Sequence, residues 1–263
     1  MLQRILTVWS WLATVVVAVL LLPLMGLVYL FTASRDPGRY TLGRWFRRGA
    51  MACVKLNPLW HFSTSGYVPA DPRRPYVAVS NHESLADIFL ISHLPWEMKW
   101  LSKDTIFKLP VMGWLMRMAG DISVERNKRS SRAEAIEQCR DRLRKNVSVM
   151  IFPEGTRSKT PELLPFKDGA FRLAIELGVP ILPMAVAGTR TAMKKGSLLF
   201  GKARAQVRVL EPIPTEGMTI ADVPEVRDRV RTLIQAERDR MLRDLDLTVE
   251  AGQTSASGRI AAS

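Results

Sequence analysis

The chain begins with a long run of uncharged, mostly apolar residues. No Asp, Glu, Lys, Arg or His occurs between Arg4 and Arg35, and a bilayer core requires about 20 apolar residues. The apolar core of a cleaved signal peptide is shorter, at about 7–15 residues. We therefore predict that residues 1–34 form a retained membrane segment. Aromatic residues stand toward both ends of the run, as is typical of membrane interfaces: Trp9, Trp11, Tyr29 and Phe31.

Two features of this run bear on its arrangement in the membrane. Pro23 and Gly26 lie inside it, where they can either kink one spanning helix or break it into a re-entrant helix pair. Only Arg4 and the N-terminal amine precede the run, whereas several basic residues follow it. The positive-inside rule then places the C-terminal body on the cytoplasmic side. The sequence thus predicts a membrane-anchored protein with a cytoplasmic domain.

After the membrane segment, the pattern changes twice more. Residues 35–75 are basic with aromatic and proline interruptions, and we predict a juxtamembrane or interfacial region there. Three prolines between Pro69 and Pro75 indicate a boundary. We therefore assign residues 76–250 to one globular domain. The tail, residues 251–263, is rich in small and polar residues and is predicted to be disordered.

In the globular domain, short apolar runs alternate with segments of helical spacing. The predicted strands are Tyr76–Ser80, Asp121–Glu125, Val147–Phe152, Ile181–Ala187 and Gln206–Leu210. The predicted helices are Leu85–His93, Thr105–Met118, Ser131–Lys145, Gly169–Leu177 and Ala221–Asp246. Ser131 and Glu134 have the spacing of a capping box. This alternation predicts an α/β fold with a mostly parallel sheet flanked by helices.

Composition excludes several classes of protein. The hydrophobic fraction of 47% is too high for a disordered chain, and the two cysteines exclude a disulfide scaffold. Part of the net charge of +13 comes from the region that follows the membrane segment, because residues 35–80 hold eight Lys or Arg and two Asp. Such a cluster attracts anionic lipid headgroups. Because no nucleic-acid-binding motif accompanies it, we predict no nucleic-acid partner.

The first candidate site is the segment Asn81–Asp87, which follows a predicted strand and enters a predicted helix. This placement puts His82 at the carboxyl end of a strand, where open α/β sheets build their sites. Asp87 can reach back within the first helical turn, fix the imidazole tautomer and leave the other ring nitrogen as a base. The plainer alternative is a capping histidine with a surface aspartate. A zinc-protease motif is excluded by Ala86, which stands where the second His is needed, and we predict no metal site.

The second candidate site is the segment Phe152–Ser158, which also follows a predicted strand. Its proline and glycine force a loop that displays Glu154, Thr156 and Arg157 at the same edge of the sheet as His82. A guanidinium group can bind a phosphate with two parallel hydrogen bonds. Arg126, at the end of another predicted strand, would add a second cation at this edge. Neither a Gly-x-Ser-x-Gly elbow nor a partnered cysteine indicates a nucleophile.

In this order, the motifs resemble those of the lysophosphatidic acid acyltransferase family (1-acyl-sn-glycerol-3-phosphate acyltransferases) within the glycerolipid acyltransferase superfamily. The family's NHxxxxD block is matched by Asn81, His82 and Asp87, and its second block by Gly120 and Arg126. Its FPEGTRS block is matched without change by Phe152–Ser158, and its apolar, proline-bearing block by Val179–Pro183. One departure is Glu83, where glutamine is more usual.

The resemblance implies a glycerol-3-phosphate acyltransferase-like fold in residues 76–250. It also implies an acyl-transfer reaction. A fatty acyl group would pass from acyl-CoA or acyl carrier protein to the sn-2 hydroxyl of lysophosphatidic acid, a membrane lipid, giving phosphatidic acid. His82 would be the general base and Asp87 would orient it, with no cofactor beyond the acyl donor. The acceptor's phosphate and glycerol would contact Arg126, Glu154, Gly155, Thr156 and Arg157.

Several alternatives stay open at this stage. The acceptor could be another lyso-lipid, such as a lyso-aminolipid or other lysophospholipid, or glycerol 3-phosphate itself. A lysophospholipid hydrolase or a non-catalytic membrane lipid-binding protein is a further alternative. Acyl chain length, the choice of donor and the oligomeric state are not indicated by any motif.

Overall fold

The computed structural model describes residues 1–158 and 160–260. The helices within this part of the chain are α1 (Leu2–Thr32), α2 (Tyr40–Lys55), α3 (Ala86–Ile91), α4 (Asp104–Phe107), α5 (Met112–Ala119), α6 (Arg129–Arg144), α7 (Gly169–Leu177) and α8 (Val223–Ile260). The strands are β1 (Trp60–Gly66), β2 (Val77–Ser80), β3 (Met98–Lys103), β4 (Ile122–Val124), β5 (Ser148–Ile151), β6 (Ile181–Ala187) and β7 (Ala203–Val209).

The strands form one seven-stranded sheet in the order β1-β7-β6-β2-β5-β3-β4. Neighbouring strands are parallel except for β6 and β7, which are antiparallel. Strands β2, β5 and β6 lie side by side at the centre and are buried throughout, as expected for strands covered on both faces. The predicted α/β class with a mostly parallel sheet is therefore confirmed. Because β2 and β5 are parallel neighbours, the segments that follow them meet at one edge of the sheet.

The predicted domain boundary near Tyr76 is wrong as a structural division. Strand β1 pairs with β7 over its whole length, from Trp60 opposite Ala203 to Gly66 opposite Val209. Part of the region 35–75 therefore belongs to the sheet. The sequence hides this strand because an edge strand is only partly buried, and much of β1 is polar and exposed.

Three other predictions of local structure need correction. Strand β3 was not predicted because the fully buried Lys99 interrupts its apolar pattern. The predicted helix Thr105–Met118 is two helices, α4 and α5, separated around Pro110, which disfavours helical geometry in the residue before it. The predicted capping box does not form, because α6 begins at Arg129 and the Ser131 hydroxyl instead accepts the N–H of Glu125 at 3.0 Å.

Helix α8 extends further than the predicted helix Ala221–Asp246. It runs through Ile260, into the segment 251–263 for which we predicted disorder, because helix propagation adds a hydrogen bond for each residue once a helix exists. Residues 261–263 of that segment lie outside the described residues.

Helix α1 is one continuous helix of 31 residues with Pro23 inside it, not a pair of shorter helices. By length and composition it is apolar enough to cross a membrane. It lies along the body, since the indole N–H groups of Trp9 and Trp11 donate to the carbonyls of Leu56 (2.8 Å) and Leu198 (2.9 Å). Further along α1, Leu21 and Met25 are buried in a cluster that also contains Leu42 of α2 and Leu115 of α5. The opposite face of α1 is apolar and exposed.

A buried ion pair lies at the start of β3, and its lysine also binds two backbone carbonyls outside the strand. The Lys99 ammonium lies 3.1 Å from a carboxylate oxygen of Glu97 and donates to the carbonyls of Arg39 and Ala119 at 2.7 Å each. Both side chains of this ion pair are fully buried. Burial raises the pKa of Glu97 and lowers the pKa of Lys99, while their mutual attraction opposes both changes.

We expect Lys99→Met to lower the free energy of unfolding by up to about 3–5 kcal/mol, because it leaves the buried Glu97 carboxylate with only the Arg47 guanidinium, 3.7 Å away and already paired with Asp121, as its counter-charge. Urea unfolding of the detergent-solubilised protein measures this change. Lys103→Met is the matched control, because Lys103 ends the same strand and is exposed. Equal stability of the two variants would contradict the prediction.

Candidate active site

The end of β2 is joined to β6 through the side chain of Asn81. Its amide nitrogen donates to the Val186 carbonyl at 2.9 Å, and its amide oxygen accepts the Val186 N–H at 2.8 Å. Asn81 thereby continues the strand pairing by one side chain beyond Ser80. This double hydrogen bond fixes where the chain leaves the sheet, and so it fixes the position of His82.

His82 and Asp87 form a hydrogen-bonded pair. The imidazole Nδ1 lies 2.8 Å from Asp87 Oδ2, and the same oxygen accepts the backbone N–H groups of Glu83 (2.8 Å) and Ser84 (3.0 Å). The other oxygen accepts the hydroxyl of Thr189, which lies in a short 3-10 helix after β6. Asp87 is fully buried and His82 is 9% exposed. A carboxylate held in this way favours the tautomer with hydrogen on Nδ1, and Nε2 is then free to accept a proton.

The loop after β5 holds the imidazole from its other side. The Phe152 ring stacks on the His82 ring with centroids 3.9 Å apart and an interplanar angle of 12°. The Ser158 N–H donates to the His82 carbonyl at 3.0 Å. The structure thus brings the two candidate segments together at the carboxyl edge of β2 and β5.

Glu154 is the buried carboxylate that links these two segments. One oxygen accepts the N–H of His82 at 2.7 Å, and the other accepts the N–H of Leu164 at 3.0 Å. The residue is only 4% exposed, and burial raises the pKa of its carboxyl group. Glu154 therefore positions the backbone of His82, and its predicted contact with glycerol stays a prediction.

The two predicted arginines are close enough for their charges to interact. Partial desolvation lowers the pKa of Arg126, and the positive charge of Arg157 lowers it further. Two cations that repel one another at the edge of a site favour an anionic ligand. The same loop carries Gly155, which has a left-handed backbone with φ of +71°, and the exposed Thr156.

Two residues that contact the candidate site were missed by the sequence reasoning. Thr189 binds Asp87 from 102 positions away, and Lys195 donates to the Thr156 hydroxyl (3.3 Å) and the Arg157 carbonyl (2.9 Å). Both residues follow β6, and the apolar block Val179–Pro183, in which that strand begins, was the available signal. The general rule that sites form at strand ends would have extended the search to these residues.

An apolar cavity of about 270 Å³ lies next to the His82 segment. Leu85, Ile88 and Phe89, from the chain that follows His82, contribute to its wall. Other parts of the wall come from β3, from the segment after β6 and from helices α1, α2 and α5, including Trp11, Leu21, Ala50 and Leu115. A cavity of this composition suits a hydrocarbon chain. Among the described residues, no group of three His, Cys, Asp or Glu side chains could hold a metal ion.

Comparisons with known proteins agree with this architecture. Residues 61–187 match the sequence model of the Acyltransferase family. The crystal structure of the 1-acyl-sn-glycerophosphate (LPA) acyltransferase PlsC from Thermotoga maritima superposes with a TM-score of 0.74, covering 91% of this chain and 95% of that one. The sequence identity of 23% makes this a likeness of fold.

Curated relatives share more of the sequence. The human 1-acyl-sn-glycerol-3-phosphate acyltransferase beta is 36% identical over 195 residues, which are 72% of this chain and 69% of the relative. A Chlamydomonas reinhardtii 1-acyl-sn-glycerol-3-phosphate acyltransferase is 33% identical over 189 residues, or 72% of this chain. That match spans about half of the algal relative's length, 55%. The 1-acyl-sn-glycerol-3-phosphate acyltransferase of Saccharomyces cerevisiae is 35% identical over 163 residues, which are 60% of this chain and 54% of that relative. Since the four motifs, the fold and the relatives agree, the chain belongs to the 1-acyl-sn-glycerol-3-phosphate acyltransferase family.

Proposed function

We propose that this protein transfers a fatty acyl group from an acyl thioester, acyl-CoA or acyl carrier protein, to the sn-2 hydroxyl of lysophosphatidic acid. The product is phosphatidic acid. The observation that carries the proposal is the His82–Asp87 pair, whose free Nε2 can accept a proton. Two further features support the proposal: Arg157 precedes Ser158, whose N–H binds the His82 carbonyl, and the apolar cavity is lined by Leu85, Ile88 and Phe89 of the chain that follows His82.

In the proposed reaction, His82 Nε2 accepts the proton of the acceptor hydroxyl while the hydroxyl oxygen attacks the thioester carbonyl. Asp87 stabilises the imidazolium that forms. The tetrahedral intermediate then expels the thiolate, which takes the proton from His82 and leaves as a thiol. The thioester is already activated, so no covalent acyl-enzyme is required. Neither cysteine offers an activated thiol, because burial raises the pKa of Cys53 and raises that of Cys139 to about 12.

Arg126 and Arg157 would bind the acceptor's phosphate, with Gly155, Thr156 and Glu154 beside the glycerol. We expect Arg157→Ala to raise KM for lysophosphatidic acid by about tenfold or more, since it removes a charge-assisted hydrogen bond. KM for the acyl donor should change little. Initial-rate kinetics with each substrate varied measures both constants. Arg144→Ala is the control, because that side chain is 66% exposed, and an unchanged KM for the acceptor would count against the phosphate role.

The apolar cavity would hold the acyl chain of the donor. We expect Ala50→Phe to shift the preference toward shorter acyl chains, because the larger ring occupies cavity space. Competition among acyl-CoA donors of increasing length measures the preference. Ala70→Phe makes the same change at an exposed position outside the cavity lining. A chain-length profile shared by both variants and the wild type would exclude this cavity as the acyl site.

The exposed apolar face of α1 would hold the protein in the membrane, where the lipid acceptor resides. Since the other face of α1 packs along the body, the active site would sit at the membrane surface. The basic residues that follow α1 favour the cytoplasmic side. Protease protection in sealed membrane vesicles tests this orientation, with a cleavable body in inside-out vesicles as the expected result.

The test of the proposed function uses detergent-purified protein, labelled acyl-CoA or acyl carrier protein, and a panel of lyso-lipid acceptors. We expect the fastest transfer to lysophosphatidic acid. Faster transfer to a lyso-aminolipid would instead identify that lipid class as the preferred acceptor. The absence of product with every donor and acceptor would favour a non-catalytic lipid-binding role.

A further inference from the structure

We infer that Arg238 of α8 is a positioning residue for the His82 loop, acting through a buried ion pair with Glu83. This inference rests on the proposed function, because it assigns a role in the same reaction. It also accounts for the acidic residue directly after His82, which no step of the proposed mechanism uses.

The contact between these residues is direct and buried. Arg238 Nε lies 2.5 Å from Glu83 Oε1, and the two side chains are only 6% and 5% exposed. Arg238 is 155 positions from Glu83 in sequence. A second nitrogen of the same guanidinium donates to the Pro161 carbonyl at 2.7 Å. One side chain of α8 therefore binds both the loop after β2 and the segment that follows the FPEGTRS motif.

Glu83 is also part of the network around the general base. Its backbone N–H donates to Asp87 Oδ2, the oxygen that binds the His82 imidazole. A shift of Glu83 would therefore move the carboxylate that orients the base. Small displacements of this kind can reduce a rate by about 10²-fold.

The charge of Glu83 needs a partner at this position. Burial raises its pKa, Arg238 lowers it most strongly, Asp87 raises it, and Arg190 lowers it. Glu154, from the loop after β5, is a further carboxylate within electrostatic range of Glu83. Without Arg238, the pKa of Glu83 would rise further, and the negative charge that Glu83 keeps above that pKa would lie near two other buried carboxylates, with Arg190 as the remaining cation that faces it. An unpaired carboxylate next to His82 would stabilise the protonated, positively charged form of the imidazole.

The test compares Arg238→Met with the double variant E83Q/R238M. We expect Arg238→Met to lower kcat by about 10²-fold with KM for lysophosphatidic acid within about twofold. The acid limb of its kcat–pH profile should move to higher pH by about one unit. In E83Q/R238M the unpaired charge is gone, so the limb should return to its wild-type position and most of kcat should be recovered.

The matched control is Arg208→Met, which breaks another ion pair of α8, between Arg208 and Glu237 at 2.5 Å, without touching the His82 loop. It should keep the wild-type pH profile. Wild-type kcat and pH profile in Arg238→Met would overturn the inference, as would equal losses without a pH shift in the single and double variants. If Arg238→Met does not fold, a folded E83Q/R238M with near-wild-type kcat supports the inference and an inactive one overturns it. An inactive wild type would instead reject the proposed function.

Discussion

Replacing His82 by Ala is expected to lower kcat by about 10²–10⁴-fold, the usual contribution of a positioned general base. The fold should survive, because two hydrogen bonds that hold the loop use the backbone of His82 and not its side chain. The His82 N–H donates to Glu154 and its carbonyl accepts from Ser158, and neither bond needs the imidazole. The loss should therefore appear in kcat, with membrane attachment and thermal stability close to those of the wild type.

Acyl transfer to lysophosphatidic acid at saturating substrate measures this loss. His61→Ala is the matched control, because His61 lies exposed on the edge strand β1. Near-normal transfer by His82→Ala would reject the general-base assignment even if the wild type makes phosphatidic acid.

Replacing Asp87 by Asn is expected to cost up to about 10⁴-fold in kcat, by analogy with buried aspartates that orient a catalytic histidine. One oxygen of Asp87 faces three N–H groups, those of the His82 ring, Glu83 and Ser84. The amide oxygen of Asn would occupy this position, and its nitrogen would face the Thr189 hydroxyl, which can rotate to accept. The geometry would thus be kept while the negative charge that stabilises the imidazolium is lost.

This prediction separates charge from geometry. The variant should bind lysophosphatidic acid with an unchanged KM and unfold at a temperature close to that of the wild type. Asp228→Asn, at a side chain that is 65% exposed, controls for the loss of a surface charge. A kcat within a few-fold of the wild type would mean that Asp87 serves the loop structure alone.

The regular elements at the centre of the sheet were predictable because their patterns are local. Helix α7 has the predicted bounds and ends at Gly178 in the left-handed conformation, and β6 matches Ile181–Ala187. Strands β1 and β3 were not predicted, because their residue patterns depend on where each strand lies in the folded sheet. The polarity of β1 reflects its place at an edge, and Lys99 in β3 is buried only because Glu97 and two carbonyls satisfy it.

In the candidate site, too, the contacts between residues near in sequence were predictable and those between distant residues were not. His82 and Asp87 are five positions apart, so one loop and one helical turn bring them together. The approach of Phe152 to His82 follows from the pairing of β2 with β5. The contacts of Thr189 with Asp87 and of Arg238 with Glu83 cross 102 and 155 positions. No pattern in a single sequence specifies which distant residue will face a loop, so these contacts required the structure.

The central claim is best tested by isolating the lipid product. Purified protein would receive lysophosphatidic acid together with acyl-CoA or acyl carrier protein that carries an isotopically labelled acyl chain. Mass spectrometry would then locate the label. The account predicts phosphatidic acid labelled at the sn-2 position with the wild type and almost none with His82→Ala. Labelled free fatty acid without phosphatidic acid, or the same product from His82→Ala at the wild-type rate, would contradict it.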